Sequence, residues 1–164
     1  MINSPKPRKV LFDHDGGVDD LLSLMMLLAM PHIDLVGVVV TPADCFLRPA
    51  LSATLKILRF FDRLDIEVSA GTLHGVNAFP RAWRAHAYAV DALPILNEIK
   101  STYVDAGTLP TPLAEPGHDF IARRLREADQ PLTLLINAPV SNVAAALAAE
   151  SALVDKIDEV VWMG

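Results

Sequence analysis

The segment 33–41 (IDLVGVVVT) constrains the fold most, because it is almost wholly apolar and rich in β-branched residues. Residues of this kind favour strands. A strand that shows no alternation of polar and apolar residues is buried on both faces, which is typical of a parallel sheet covered by helices. The segment therefore predicts an α/β protein.

Strand-like and helix-like segments alternate along most of the chain. Apolar runs predict strands, and apolar residues at helical spacing predict the helices between them. The alternation implies βαβ units, so we expect a single domain over residues 1–164 with a Rossmann-like, open, mostly parallel sheet and helices on both faces. The predicted strands cover 10–12, 33–41, 66–70, 132–136 and 157–163, and the predicted helices begin at Asp19 or cover 49–61, 117–128 and 141–150.

Two stretches stand apart from this pattern. Residues 71–112 contain four prolines and both tyrosines, and we expect them to form a long, irregular, lid-like excursion with one short helix at 92–99. The final residues, 160–164 (VVWMG), are expected to belong to a buried strand.

Composition excludes several classes of protein. The 14 Lys and Arg against 20 Asp and Glu give a net charge of −6, which argues against binding to a nucleic-acid backbone. The lone Cys45 cannot form an internal disulfide. The apolar run at 21–30 is too short to span a bilayer, and the first residues lack the apolar core of a signal peptide. We therefore expect a soluble, cytoplasmic protein that is not associated with a membrane.

The segment 10–20 (VLFDHDGGVDD) is the one most informative about chemistry. It places four carboxylates, those of Asp13, Asp15, Asp19 and Asp20, within eight positions at the carboxyl end of the first predicted strand. Ligands bind at that edge of open α/β sheets. Asp13 and Asp15 would share one side of the extended chain before the two following glycines allow a sharp turn. Four like charges repel one another, and a hard cation such as Ca²⁺ or Mg²⁺ would relieve that repulsion.

This motif resembles the N-terminal signature of the inosine-uridine preferring nucleoside hydrolases, D-T-D-P-G-x-D-D after an apolar strand. Segments 33–41, 70–71, 134–142 (LLINAPVSN) and 158–164 (DEVVWMG) also resemble that family, in the same order. The resemblance implies an enzyme that cleaves the N-glycosidic bond of ribonucleosides with a bound Ca²⁺. It also implies a chain about twice as long, so we expect these residues to hold half of the site.

The resemblance assigns roles by position. Asp15 would ligate the metal and act as the general base, Asp20 would be a second ligand, and Asn137 would contribute its main-chain carbonyl. Asp19 and Asp44 would contact the ribose, and Asp13 would support the site from behind.

Two residues of segment 71–112, His74 and Asn77, are expected to contact the nucleoside. The sequence also departs from the family pattern in the loop after the first strand, at Asp44, which replaces an asparagine, and in segment 137–139, which lacks the usual Thr-Gly. His14 replaces a small residue and Gly16 replaces the usual proline, so the loop is expected to be less rigid.

Two other functions stay open. Segment 12–16 (FDHDG) also resembles the F-D-x-D-G signature of the haloacid dehalogenase superfamily, which implies a Mg²⁺ phosphatase with Asp13 as nucleophile. Gly17 stands where that signature has a threonine, and the pair Asp19 and Asp20 is then unexplained. The other alternative is a truncated, non-catalytic fragment that oligomerises through an exposed edge. For the hydrolase itself we expect a nucleoside substrate and a homo-oligomer.

Overall fold

The computed structural model describes residues 6–73, 79–98 and 109–163. They form six strands that join in one sheet, in which every pairing is parallel. The strands are β1 (Arg8–His14), β2 (Ile33–Val40), β3 (Val68–Ala70), β4 (Leu113–Pro116), β5 (Leu132–Asn137) and β6 (Ile157–Trp162). The helices are α1 (Val18–Ala29), α2 (Leu47–Phe60), α3 (His86–Asp91), α4 (Pro94–Asn97), α5 (Gly117–Glu127) and α6 (Ser141–Ala149), with 3-10 helices at Trp83–Ala85 and Ser151–Lys156.

The strand order is β4-β3-β2-β1-β5-β6. The chain builds outwards from β1 in one direction through β4, and then returns to the other side of β1 with β5 and β6. The crevice outside the carboxyl ends of β1 and β5 is therefore a topological switch point, where open α/β sheets bind ligands.

Helices cover both faces of the sheet, as the apolar run of β2 predicts. One apolar cluster joins Phe12 and Val38 to α1–α4, and it contains the buried Cys45. The second cluster joins Leu11 and Leu134 to α5 and α6. The predicted α/β class, with an open parallel sheet and helices on both faces, is confirmed. None of the helices in the described ranges combines the length and the apolar character that a membrane span requires.

The structure corrects the predicted elements in four places. The sheet contains a strand, β4, that the sequence analysis missed. The third strand, β3, begins at Val68 instead of at residue 66. Within residues 71–112, the described part forms α3 and α4 instead of one helix at 92–99. The expectation that residues 160–164 lie in a buried strand is wrong for β6, because this strand lies at the sheet edge and Trp162 is 56% exposed.

Candidate active site

A pocket of about 460 Å³ lies at the carboxyl edge of the sheet, at the switch point beside β1 and β5. The chain leaves β1 at His14, turns at Gly16, where φ is +87°, and enters α1. Three of the four motif carboxylates thereby reach the pocket wall, together with residues that follow β2, β5 and β6. The lining residues are Asp15, Asp19, Asp20, Ala43, Asp44, Phe79, Asn137, Ala138, Pro139, Trp162 and Met163.

The first turn of α1 holds Asp20 in place. The Gly17 N–H donates a hydrogen bond of 2.9 Å to Oδ2 of Asp20, so this side chain caps the helix and faces the partial positive charge at its start. Its Oδ1 atom is buried and accepts no hydrogen bond from any donor in the described part of the chain. A buried carboxylate oxygen without a donor is costly, so Oδ1 is a candidate ligand for a cation.

Asp15 lies against Asp20 and is held from the other side of the pocket. The Asp44 N–H, in the loop after β2, donates a hydrogen bond of 3.1 Å to Oδ2 of Asp15. Burial and the neighbouring Asp20 together raise the pKa of Asp15 to about 7. Burial also raises the pKa of Asp20, although its interactions with Asp15 and with the Gly17 N–H lower it in part.

Asp13 lies in a different environment, fully buried and outside the pocket wall. The Thr41 hydroxyl donates to its Oδ1 at 2.6 Å, and the Asn142 side-chain amide donates to its Oδ2 at 3.0 Å. Burial raises the pKa of Asp13 to about 7, and these two hydrogen bonds lower it in part. A carboxylate that is sealed and bonded in this way braces the end of β1 and is badly placed to attack a substrate.

The structure brings together most of the predicted site residues. Asp15, Asp19, Asp20, Asp44 and Asn137 all line the pocket, whereas Asp13 lies behind it. His74 and Asn77 lie outside the described residues.

Sequence reasoning missed two aspects of the pocket. Trp162 lines it and donates a hydrogen bond of 3.3 Å from Nε1 to the Ala138 carbonyl, but its sequence pattern indicated only a strand. Phe79 also lines the pocket and stacks on Trp83, with 6.0 Å between the ring centroids; the sequence placed it only within the irregular stretch 71–112.

The donor set fits a hard cation. Ca²⁺ prefers carboxylate and carbonyl oxygens, usually six to eight of them, and Asp15, Asp20 and Asn137 supply oxygens of these types. The uncompensated Oδ1 of Asp20 and the close approach of two carboxyl groups are features that a cation would stabilise. No cluster of three or more His, Cys, Asp or Glu side chains arranged around one metal position occurs in residues 6–73, 79–98 and 109–163.

Fold and site together define an open α/β protein with a carboxylate-lined pocket at the switch point of its sheet. The model of the family "Inosine-uridine preferring nucleoside hydrolase" matches residues 10–164. The chain therefore belongs to the inosine-uridine preferring nucleoside hydrolase family.

Several individual proteins resemble the chain. It is 33% identical to the pyrimidine-specific ribonucleoside hydrolase RihA of Shewanella oneidensis, with 94% of this chain and 46% of the relative covered. It is 29% identical to RihA of Photobacterium profundum, with 96% and 48% covered. The crystal structure of an inosine-uridine preferring nucleoside hydrolase from Bacillus anthracis superimposes with a TM-score of 0.88 at 46% identity, covering 96% of this chain and 50% of that one. The chain thus spans about half the length of the relatives it matches.

Proposed function

We propose that the protein hydrolyses the N-glycosidic bond of ribonucleosides to ribose and free base, with Ca²⁺ held by Asp15, Asp20 and Asn137. The observation that carries the proposal is the pair of buried carboxyl groups, Asp15 and Asp20, at the pocket wall, with Oδ1 of Asp20 unpaired among the described residues. The family membership and the ribonucleoside hydrolases among the relatives support it. The haloacid dehalogenase and fragment alternatives receive no support from the comparisons, and the burial of Asp13 argues against its use as a nucleophile.

Asp15 is the proposed general base. Its carboxylate would accept a proton from the water that attacks the anomeric carbon, while the bond from that carbon to the base nitrogen breaks and its electron pair leaves with the base. The base nitrogen takes a proton from solvent. Ca²⁺, when bound, supplies positive charge that acidifies water and orients sugar hydroxyls.

Asp19 and Asp44 are the proposed ribose contacts. Both line the pocket beside Asp15, and carboxylate oxygens accept hydrogen bonds from the hydroxyl groups of a sugar. Glycosidic cleavage passes through an oxocarbenium-like state whose positive charge nearby carboxylates stabilise. Holding the sugar in place next to the attacking water lowers the barrier, because the entropy cost of bringing the two together is met on binding.

We also propose that the protein is a homo-oligomer and works in the cytoplasm. The edge strand β6 exposes Val160, Val161 and Trp162, and an apolar sheet edge favours contact with another chain. The lone, buried Cys45 suits a reducing compartment. Light scattering of the purified protein tests the first point, because a strictly monomeric protein would contradict it.

The activity is tested by measuring ribose release from inosine and from uridine, with Ca²⁺ and with EDTA. We expect release with Ca²⁺, loss of release with EDTA, and a fall in kcat of at least about 100-fold in Asp15→Asn, in line with the loss of a general base. The matched control is Asp129→Asn, because Asp129 is a surface carboxylate paired with Lys9 away from the pocket. An intact wild-type protein that releases no ribose from either nucleoside would refute the proposed function.

A further inference from the structure

His14 separates the two carboxylates Asp13 and Asp15, and its side chain faces away from the pocket. The side chain is fully buried and stacks on Phe12, with 4.9 Å between the ring centroids. Nothing in the proposed chemistry uses this ring directly, yet it lies next to the proposed general base.

The His14 ring belongs to a directional chain of hydrogen bonds. The Gly16 N–H donates to Nδ1 of His14 at 3.1 Å, so Nδ1 carries no proton and the neutral ring carries its proton on Nε2. Nε2 lies 3.3 Å from the Thr54 hydroxyl and donates to it. That hydroxyl in turn donates to the Ala50 carbonyl in α2 at 2.8 Å. The protonation state of the ring thus follows from its partners.

Gly16 fits this position for two reasons. Its φ of +87° is strained for any residue with a side chain, and a Cβ atom there would lie 2.3 Å from Cβ of Ala50. A proline has φ near −65° and no N–H, so it could neither adopt this turn nor donate to His14. His14 and Gly16 therefore act as a pair in place of the small residue and proline of the family signature. Although the glycine lacks the constraint of a proline ring, the hydrogen bond supplies a constraint of its own.

We propose that His14 is a positioning residue that fixes the carboxylate of Asp15 in the pocket by binding the Gly16 N–H. The bond from the His14 ring to the Gly16 amide closes a loop around the backbone of Asp15, and α2 anchors the far side of the ring through Thr54. With the backbone held there, the Asp15 carboxylate meets the Asp44 N–H on one side and Asp20 on the other. This inference rests on the proposed function, because it assigns to His14 the placement of the proposed base and ligand.

Two substitutions separate the positioning role from simple packing. In His14→Asn the side-chain oxygen can replace Nδ1 as the acceptor for the Gly16 N–H, whereas in His14→Gln the amide reaches the position of Nε2 and leaves the Gly16 N–H without an acceptor. Calorimetric titration with Ca²⁺ measures the effect on the metal site directly. We expect His14→Gln to weaken Ca²⁺ binding by roughly 10- to 100-fold, as for other groups that orient metal ligands, and His14→Asn to stay within about threefold of wild type.

Leu125→Ala is the control for loss of stability, since Leu125 is buried in α5 on the opposite face of the sheet. It should lower Tm and leave the Kd for Ca²⁺ unchanged. Equal Ca²⁺ affinities in His14→Asn and His14→Gln, whether both normal or both weak, would overturn the proposal.

Nuclear magnetic resonance of the wild-type chain gives a test that needs no variant. The ring nitrogens of His14 should show an unprotonated Nδ1 and a protonated Nε2 at neutral pH, with a coupling across the hydrogen bond to the Gly16 amide. The opposite tautomer would refute the proposal even if His14→Gln failed to fold. Wild-type protein that binds no Ca²⁺ would refute the proposed metal site instead, and the tautomer would still decide whether His14 holds the turn around Asp15.

Discussion

The buried group around Asp13 allows a quantitative prediction for Asn142→Ala. The Asn142 side-chain amide donates to Asp13 at 3.0 Å and to the Thr41 hydroxyl at 2.7 Å, and it is fully buried at the start of α6. The substitution removes both donors and leaves Oδ2 of Asp13 buried with one bond fewer. Because Asn142 belongs to α6 and Asp13 to β1, the change also weakens a link between the helix and the centre of the sheet.

The cost follows from the kinds of hydrogen bond that are lost. A bond to a charged acceptor contributes about 1.5–3 kcal/mol, and a neutral one about 0.5–1.5 kcal/mol. The Oδ1 atom of Asn142 is itself buried and unpaired within the described residues. Removing it therefore recovers part of the free energy that the lost hydrogen bonds contributed. We therefore expect the free energy of unfolding to fall by about 2–3 kcal/mol at pH 8, which corresponds to roughly 4–12 °C in Tm for a chain of this size.

The free energy of unfolding that Asn142→Ala loses should be larger at high pH than at low pH. The pKa of Asp13 is raised by burial from 3.8 to about 7 in the folded protein. Its contribution to stability is therefore complete below the unfolded pKa and is lost as the pH rises through about 7. Asn142 favours the charged form, so removing it raises the pKa further and destabilises the protein more when Asp13 is ionised. We expect a loss of only about 1 kcal/mol at pH 5, where the carboxyl is protonated.

Urea denaturation in EDTA at both pH values measures the two losses without metal binding. Val143→Ala is the matched control, because Val143 is the next residue of α6, is buried and carries no hydrogen bond in its side chain. The free energy of unfolding that Val143→Ala loses should be the same at the two pH values. Equal losses for Asn142→Ala at pH 5 and pH 8, or a loss under about 0.5 kcal/mol at pH 8, would refute the assignment of Asn142 as the donor that supports an ionised Asp13.

Two further predictions concern the turn after β1 and the first turn of α1. Asp20→Asn removes one of the two carboxylates proposed to bind the cation, so calorimetric titration should show Ca²⁺ binding weakened by at least about 100-fold, whereas Glu159→Gln, in an exposed ion pair with Arg8, should bind normally. Gly16→Ala places a Cβ atom 2.3 Å from that of Ala50 in a backbone with φ of +87°, and it should lower the free energy of unfolding by about 2–4 kcal/mol in thermal or urea denaturation. Adding Ala50→Gly should recover the free energy of unfolding that is lost to the clash, but not the free energy that is lost to the strained φ. Full recovery of the free energy of unfolding, or no recovery, would contradict this division.

The sequence predicts the centre of the sheet well and its edges poorly. The β2 segment is so uniformly apolar that only a strand buried on both faces fits it, and β2 indeed lies between β1 and β3. By contrast, β4 contains Glu115 and Pro116, and β3 is its only partner among the described strands. An edge strand needs no apolar alternation and tolerates proline, so it leaves little pattern to detect. β6 carries an apolar sequence at the other edge and is nevertheless exposed.

In the candidate site, too, the sequence predicts some features well and others poorly. Asp15, Asp19 and Asp20 can be placed in a pocket from sequence because they follow one strand directly and begin one helix. Asn142 contacts Asp13 across 129 positions of the chain, and Thr54 contacts His14 across 40. Such partners are brought together by the packing of α2 and α6 on the sheet, and no local spacing indicates them.

Burial divides the carboxylates of the motif into two roles that their spacing alone did not separate. Asp13 lies within β1 and must satisfy its oxygens with buried donors, which Thr41 and Asn142 provide. Asp15 comes after β1 has ended, so the strand alternation that would place it beside Asp13 no longer applies, and the turn at Gly16 carries it to the pocket. Substitutions around Asp13 should therefore change mainly the stability of the fold, and substitutions around Asp15 and Asp20 mainly the affinity for the cation. An Asn142→Ala protein that kept its stability and lost Ca²⁺ binding would reverse this assignment of roles.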